Sequence, residues 1–226
     1  MEIIANLIKT KFPNYKKWAN DAYASSYNKQ WEKQMYKGNP TFENLKQMYN
    51  VKNNDLTRDM IIKLFEEKKY FEGFLCAMVW GNMGTYFGGK KRFDGVFNAA
   101  KQDEITSIIN NVITLLQDDK LEEAYLSLCY KGENRIVGVG EAFFTKLLYF
   151  AGAAIDSEKL TIKPLIFDSK MHGIYNHILA QLGLPKKRQS AVKRYIDYCH
   201  KMEKLRALLN LPSSGHVEAF LFKNGI

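Results

Sequence analysis

The chain has 226 residues, 46% of them hydrophobic and 25% charged, so it is long enough to bury a core as one compact unit. Its 33 Lys and Arg residues against 24 Asp and Glu residues give a net charge of +9, which favours an anionic partner, nucleic acid first and an acidic membrane surface second. No stretch approaches the roughly 20 apolar residues of a membrane span, and residues 1–12 lack a signal-peptide core, so we expect a cytoplasmic protein.

Apolar residues recur at helical spacing along nearly the whole chain, which predicts an all-α fold. The N-terminal part is predicted to contain a helix around residues 3–8 that Pro13 ends and an aromatic-rich helix over residues 15–36. A short helix capped by Thr41 follows, and then one long or broken helix over residues 60–80.

A glycine-rich loop over residues 81–89 and the basic run Lys90-Lys91-Arg92 follow. Further helices are predicted at residues 103–117, 121–130, 141–151, 169–182, 186–209 and 214–222, with a loop at 152–163 and an extended stretch at 164–167.

Neither the cysteines nor the histidines form a pattern that binds metal. Cys76, Cys129 and Cys199 are far apart and form no CxxC pair, which fits free thiols in a reducing compartment. His172 and His177 are five residues apart and therefore do not share a helix face. We predict no metal site and no cofactor.

The sequence Ile136-Val137-Gly138-Val139-Gly140 runs directly into the apolar helix over residues 141–151. A Gly-hydrophobic-Gly turn that opens a helix points backbone N–H groups outward and can bind a phosphate. Gly138, Val139 and Gly140 are therefore candidate DNA-binding residues, although many such turns are plain helix caps.

This turn, the helix before it and the acid at the end of Pro164-Leu165-Ile166-Phe167-Asp168 together resemble the helix-hairpin-helix DNA glycosylases, specifically their 8-oxoguanine glycosylase branch. The resemblance covers residues 71–226 and implies two helical lobes with a cleft between them. Residues 1–226 then form a single glycosylase-like unit, in which residues 1–70 add helices of unassigned role. It implies double-stranded DNA with a modified base as the partner, and we expect a monomer. The four-cysteine tail of endonuclease III-like relatives is missing, so no iron–sulfur cluster is expected.

The resemblance implies a lysine nucleophile and an aspartate in one pocket. Ala142 stands where the family has its lysine, and Lys146, one helical turn later, is the only basic residue of an apolar helix. A desolvated Lys146 would hold a fraction of neutral amine, as a Schiff-base nucleophile requires; the alternative is a lysine whose stem packs while its ammonium reaches water. Asp168 would stabilise the charge that develops on the sugar, and it could equally cap the next helix.

The same resemblance implies residues that bind the flipped base and residues that fill the gap it leaves in the duplex. Ala142 and Phe143 are candidates for the base pocket, and Phe220 or Phe222 for a C-terminal aromatic residue that stacks on the base. Asn82, Met83 and Tyr86 are candidates for filling the gap in the duplex, unless they form an ordinary surface loop.

Residues 186–208 carry eight Lys and Arg residues and two acids, which is +6 of the net charge. Lys187 and Arg188 are candidates for tracking DNA phosphates, and a merely solvated face is the alternative.

The sequence therefore predicts a DNA glycosylase that flips out a damaged purine such as 8-oxoguanine, attacks C1′ with Lys146 and can then cleave the strand as an AP lyase in base excision repair. The alternative is a catalytically silent DNA-binding module of the same fold, with a role in antiviral defence.

Overall fold

The computed structural model describes residues 1–24, 27–28, 47, 55–81, 94–155, 159–184 and 190–226. Their secondary structure is almost entirely helical, which confirms the predicted all-α class. The helices are α1 (Glu2–Lys11), α2 (Tyr15–Tyr23), α3 (Arg58–Glu66), α4 (Tyr70–Gly81), α5 (Gln102–Gln117), α6 (Leu121–Leu128), α7 (Glu141–Ala153), α8 (Ser169–Gln181), α9 (Ala191–Leu209) and α10 (Ser214–Asn224), with a 3-10 turn at Ala99–Lys101 before α5.

The prediction of one helix over residues 15–36 is wrong. Helix α2 ends at Tyr23, and Tyr27–Asn28 forms a two-residue strand, β1, that pairs antiparallel with β2 (Asp55–Leu56). The strand partners are about 28 residues apart, and local periodicity carries no signal of such a distant pairing. The predicted helix after Thr41 lies outside the described residues except for Gln47, which is helical.

The predicted helix over residues 60–80 is broken into α3 and α4. The break lies at Lys68, which adopts the left-handed conformation with φ 58°, and the Lys69 amide donates to the Leu64 carbonyl at 2.8 Å. This is the usual way in which a helix ends on a left-handed residue. Farther along the chain, α7 continues through Gly152 and Ala153, which were predicted to lie in a loop.

The helices at the two ends of the chain pack together. Helix α1 contacts α8 and α9, and α2 contacts α10, while α7 contacts α3, α4, α5 and α6. Helix α9 also contacts α6, and one continuous cluster of buried apolar side chains runs through all of these helices. Residues 1–24 therefore share their core with the C-terminal helices. The predicted lobes and cleft stay a prediction.

The extended segment before α8 is fixed by hydrogen bonds from two helices. Thr145 of α7 accepts the Phe167 amide at 3.1 Å. From α9, the Tyr195 hydroxyl donates to the Leu165 carbonyl at 3.0 Å and the Tyr198 hydroxyl donates to the Ile166 carbonyl at 3.1 Å. Because buried hydrogen bonds hold this backbone on both sides, the residue that follows it, Asp168, begins α8 at a defined place beside α7.

None of the helices in the described ranges combines the length and the apolar composition needed to cross a membrane.

Candidate active site

The hairpin between α6 and α7 contains a tight turn at residues 136–139. Gly138 has φ 89°, which the third residue of a type II turn requires and which side chains disfavour. The Val139 amide donates to the Ile136 carbonyl at 3.0 Å, so this predicted DNA-binding amide is occupied within the turn. The Ile136 and Val139 side chains are buried, whereas Val137 is 68% exposed. The turn therefore fixes the backbone and presents Val137 outward.

Gly140 is the N-cap of α7, and no side chain of the described residues caps this helix end. Its backbone is extended, with φ −94° and ψ 179°, and a Cβ atom added there would meet nothing within 4 Å. A side chain at this position would therefore meet no steric obstacle within the described residues. Open space next to the N-terminus of a 13-residue helix leaves room for an anion close to the backbone.

The first residue of α7, Glu141, connects the hairpin to α8 and α9. Its carboxylate accepts a short hydrogen bond from Tyr125 and lies 3.3 Å from His172 Nε2 and 3.9 Å from Arg194 Nη2. Burial lowers the pKa of His172, while Glu141 acts in the opposite direction. These contacts place the start of the basic helix α9 beside the hairpin.

Lys146 lies one and a half turns into α7 and is only 4% exposed. Its Nζ donates to the Ala142 carbonyl at 2.7 Å and lies 5.4 Å from the centre of the Phe143 ring. Burial lowers the pKa of Lys146, and the Arg58 charge lowers it further, against the opposing effects of Asp168 and Glu218. The alternative of an ammonium group that reaches water is therefore wrong for this conformation.

Asp168 faces the same lysine and also caps α8. Its Oδ1 accepts the Met171 amide at 3.1 Å, and its Oδ2 lies 3.9 Å from Lys146 Nζ. Asp168 can therefore cap α8 and face Lys146 at the same time, because each role uses a different carboxylate oxygen. The carboxylate is 21% exposed, so it sits at the border between the lysine and solvent.

Lys146 and Asp168 line a pocket of about 270 Å³. The residues that complete the wall come from α3, α4, the extended segment and α10: Arg58, Trp80, Gly81, Ile166, Glu218 and Phe222. The site is thus assembled from five parts of the chain that are distant in sequence.

A buried ion pair forms the back of this pocket. Arg58 Nη2 lies 3.3 Å from Glu218 Oε2, and the two residues are 5% and 2% exposed. The Arg58 guanidinium also lies 4.7 Å from the Trp80 ring, 5.3 Å from Tyr23 and 5.6 Å from Tyr149, within cation–π range. Burial raises the pKa of Glu218 to about 7, although Arg58 and Lys146 oppose the shift.

A family model described as "Putative 8-oxoguanine DNA glycosylase OGG-like protein" matches residues 17–222. The chain belongs to the OGG-like glycosylase family. This match confirms the resemblance to the OGG-like branch of the helix-hairpin-helix glycosylases and implies DNA binding. A search of curated proteins and a search of solved structures each found no match.

The two aromatic residues of α10 that were predicted to stack on the base, Phe220 and Phe222, lie in different surroundings. Phe222 lines the pocket, and Lys170 Nζ lies 4.3 Å from the centre of its ring. Phe220 is completely buried, with its ring 5.3 Å from that of Phe12, so it cannot stack on a base in this arrangement. Ala142 and Phe143 contribute through the carbonyl and ring contacts to Lys146 described above.

Several predicted DNA contacts of the OGG-like chain fall outside the described residues. These are Asn82, Met83, Tyr86, Lys187 and Arg188.

Sequence reasoning missed the residues at the back of the pocket. Glu218 is an acid within the apolar run Val217-Glu218-Ala219-Phe220-Leu221-Phe222, and an acid in such a run could have been recognised as a buried charge in need of a partner. Arg58 and Gly81 gave no comparable signal, because nothing local connects them to α10 or α7.

Proposed function

We propose that this protein is a DNA glycosylase with AP-lyase activity that excises a damaged purine such as 8-oxoguanine, with Lys146 as nucleophile and Asp168 as electrostatic stabiliser. The observation that carries the proposal is the 3.9 Å approach of Lys146 Nζ to Asp168 Oδ2 in a pocket beside the hairpin helix. The family match supports the reaction class, and the pocket chemistry supports the roles of the two residues.

The reaction needs a neutral amine, and burial of Lys146 favours one. The Lys146 amine attacks C1′, a C–N bond forms, and the glycosidic bond breaks as the base leaves and takes up a proton. Opening of the sugar ring then gives a Schiff base, from which β-elimination breaks the 3′ C–O bond and cleaves the strand. Throughout base departure the Asp168 carboxylate faces the positive charge that builds on the sugar.

The duplex is held by the surface around the hairpin. Val137 and Tyr130 are 68% and 75% exposed, and the Arg135 guanidinium lies 4.7 Å from the Tyr130 ring. Exposed apolar groups beside cations suit a surface that contacts sugar edges and phosphates together. One phosphate binds at the open N-terminus of α7 near Gly140. Arg194 of α9 lies 3.9 Å from Glu141 and brings a cation to the same end of the helix.

The decisive experiment is borohydride trapping of a protein–DNA adduct on duplexes that contain 8-oxoguanine, uracil, hypoxanthine or an abasic site. Borohydride reduces a Schiff base to a stable amine, so an adduct on the abasic duplex reports the nucleophile independently of base recognition. We expect the unsubstituted protein to form it and Lys146→Gln to form none while still binding the duplex.

Lys120→Gln is a matched control, because Lys120 is an exposed lysine that pairs with Asp118 at 3.3 Å. It should be trapped like the unsubstituted protein. An adduct with Lys146→Gln would assign the nucleophile to another lysine. No adduct of the unsubstituted protein with any of these duplexes would instead favour the catalytically silent DNA-binding module.

A further inference from the structure

Glu218 is a buried acid that lines the same pocket as Lys146 and Asp168. Its side chain is 2% exposed, and its Oε2 atom lies 3.3 Å from Arg58 Nη2. Among the described residues, no group donates a hydrogen bond to the other carboxyl oxygen, Oε1. Because buried polar atoms are usually hydrogen-bonded, Oε1 is available to a ligand that enters the pocket.

The carboxyl group of Glu218 lies within electrostatic reach of the reacting lysine and of the base. The charge of Lys146 acts on Glu218, and the charge of Glu218 acts on Lys146. One turn further along α10, Phe222 lines the same pocket and is the candidate for stacking on the flipped base. Residues four apart lie on the same face of a helix. An acid and an aromatic ring on one face of α10 thus line the space in which the flipped base would lie.

Cleavage of the glycosidic bond needs a proton that Lys146 and Asp168 do not supply. The bond breaks with its electron pair on the purine, and a purine leaves more easily if it takes up a proton at the same time. Lys146 must be neutral in order to attack C1′, and Asp168 acts as a carboxylate that faces the charge on the sugar. The other acid that lines the pocket is Glu218.

We propose that Glu218 is the general acid of the glycosylase reaction and protonates a ring nitrogen of the departing purine. This inference rests on the proposed function, because it assigns one step of that reaction. Lys146 attacks C1′, the C1′–N9 bond breaks with its electron pair on the purine, and the Glu218 proton moves to the purine ring. The attacking nitrogen, which is now a secondary ammonium, then passes a proton to the Glu218 carboxylate. The released purine is neutral, and Glu218 is an acid again.

The surroundings of the pocket favour a protonated Glu218 beside a neutral Lys146. Burial raises the pKa of Glu218 to about 7, with Asp168 acting in the same direction and Arg58 and Lys146 opposing it. Burial lowers the pKa of Lys146. A proton shared between these two residues is therefore moved toward the acid, which is the distribution that attack by the amine requires.

The remaining neighbours hold the acid in place without competing with it. The Arg58 guanidinium binds Oε2 and leaves Oε1 for the base. Tyr149 and Tyr198 also interact electrostatically with Glu218, and burial raises the pKa of both hydroxyls. Neither tyrosine gives up its proton near neutral pH, so Glu218 is the group at the back of the pocket that titrates there.

The test compares base release with adduct formation, because the purine takes up a proton only in base release. In single-turnover assays on duplexes with 8-oxoguanine or hypoxanthine, we expect Glu218→Gln to release the base at least about a hundredfold more slowly. Borohydride trapping on an abasic duplex should be as fast or faster, because removal of the Glu218 charge lowers the pKa of Lys146 further. A purely structural role of Glu218 would slow both reactions.

The pH dependence of the unsubstituted protein is a second measurement, and it does not depend on the folding of a variant. Base release should slow as pH rises above about 7, where Glu218 loses its proton, whereas trapping on the abasic duplex should not slow. Glu203→Gln is the matched control, because the Glu203 carboxylate pairs with Arg206 at 2.5 Å on the partly exposed side of α9. It should leave both rates unchanged.

Three results would overturn the proposal. The first is base release by Glu218→Gln as fast as by Glu203→Gln, and the second is an equal loss of base release and of trapping in Glu218→Gln. The third is base release by the unsubstituted protein that keeps rising above about pH 7. Absence of any adduct between the unsubstituted protein and the abasic duplex contradicts the proposed function instead, because the lysine chemistry then fails where no base is involved.

Discussion

Replacing Gly81 by alanine should disable Lys146 although Gly81 itself carries no reactive group. Gly81 ends α4, and a Cβ atom there would lie 2.2 Å from Lys146 Cε and 2.3 Å from Lys146 Cδ. Carbon atoms pack at about 3.5–4.0 Å. The lysine stem must therefore move by more than about 1 Å, and its contacts with the Ala142 carbonyl and with Asp168 change with it.

The fold should tolerate this change, because the clashing atoms belong to a flexible side chain rather than to backbone. Alanine is also a better helix former than glycine, by up to about 1 kcal/mol in a helix interior. A displacement of about 1 Å from productive geometry can reduce a rate by roughly a hundredfold. We therefore expect Gly81→Ala to be as stable as the unsubstituted protein and about a hundredfold slower in borohydride trapping on an abasic duplex.

Gly173→Ala is the matched control. Gly173 is an exposed glycine within α8, and a Cβ atom there would meet nothing within 4 Å. Its trapping rate should be unchanged, with a gain in stability of up to about 1 kcal/mol. If Gly81→Ala is folded and is trapped as fast as Gly173→Ala, the position of Lys146 does not govern the reaction and the reasoning fails.

Four further results are expected. Gly140→Val should lower affinity for any duplex in a protein that still folds, because the backbone there is extended and the space is open; equal affinity in a filter-binding assay would remove the hairpin from the interface. Asp168→Asn should keep the helix cap and slow single-turnover base release by about a hundredfold, and an unchanged rate would leave the carboxylate with a capping role only. The pKa of Glu218, about 7, lies above its ordinary value of 4.5, so the native state holds this proton more tightly and stability from this group falls as pH rises between those values. Urea unfolding across that range should have a flatter pH dependence for Glu218→Gln, whereas parallel curves would contradict the buried carboxylate. Duplex affinity should fall steeply between roughly 50 and 200 mM salt, with a smaller slope after charge reversal at Lys187 and Arg188; a flat response would favour a partner other than DNA.

The sequence predicted the parts of this site that depend on local order. A glycine turn that opens a helix, a lone lysine on an apolar helix and an acid at the start of the next helix are all visible in a short window of residues. In the structure Lys146 is buried and Asp168 caps α8. The distance between Lys146 and Asp168 could not be predicted from a short window of residues, because it depends on the hydrogen bonds that Tyr195 and Tyr198 make from α9.

The back of the pocket was beyond sequence reasoning for the same physical reason. Arg58 and Glu218 are 160 residues apart and meet only because α2 packs on α10 and α3 packs on α7. The error over residues 15–36 has this origin as well, since the pairing of Tyr27 with Leu56 is a tertiary contact. Periodicity describes which face of an element is apolar, but it contains no information on which distant element covers that face.

The charges around Lys146 suggest a role for the Arg58–Glu218 ion pair at the back of the pocket, whose burial costs free energy. Asp168, Lys146, Glu218 and Arg58 alternate in sign, and with all four ionised their charges sum to zero. Burial and the Arg58 charge both lower the pKa of Lys146. Once Lys146 is neutral, the other three groups, when ionised, leave a net charge of −1 in a poorly hydrated space. A cation that develops on a sugar ring would meet that charge without first displacing an ammonium ion, and this is the electrostatic condition that cleavage of a glycosidic bond requires.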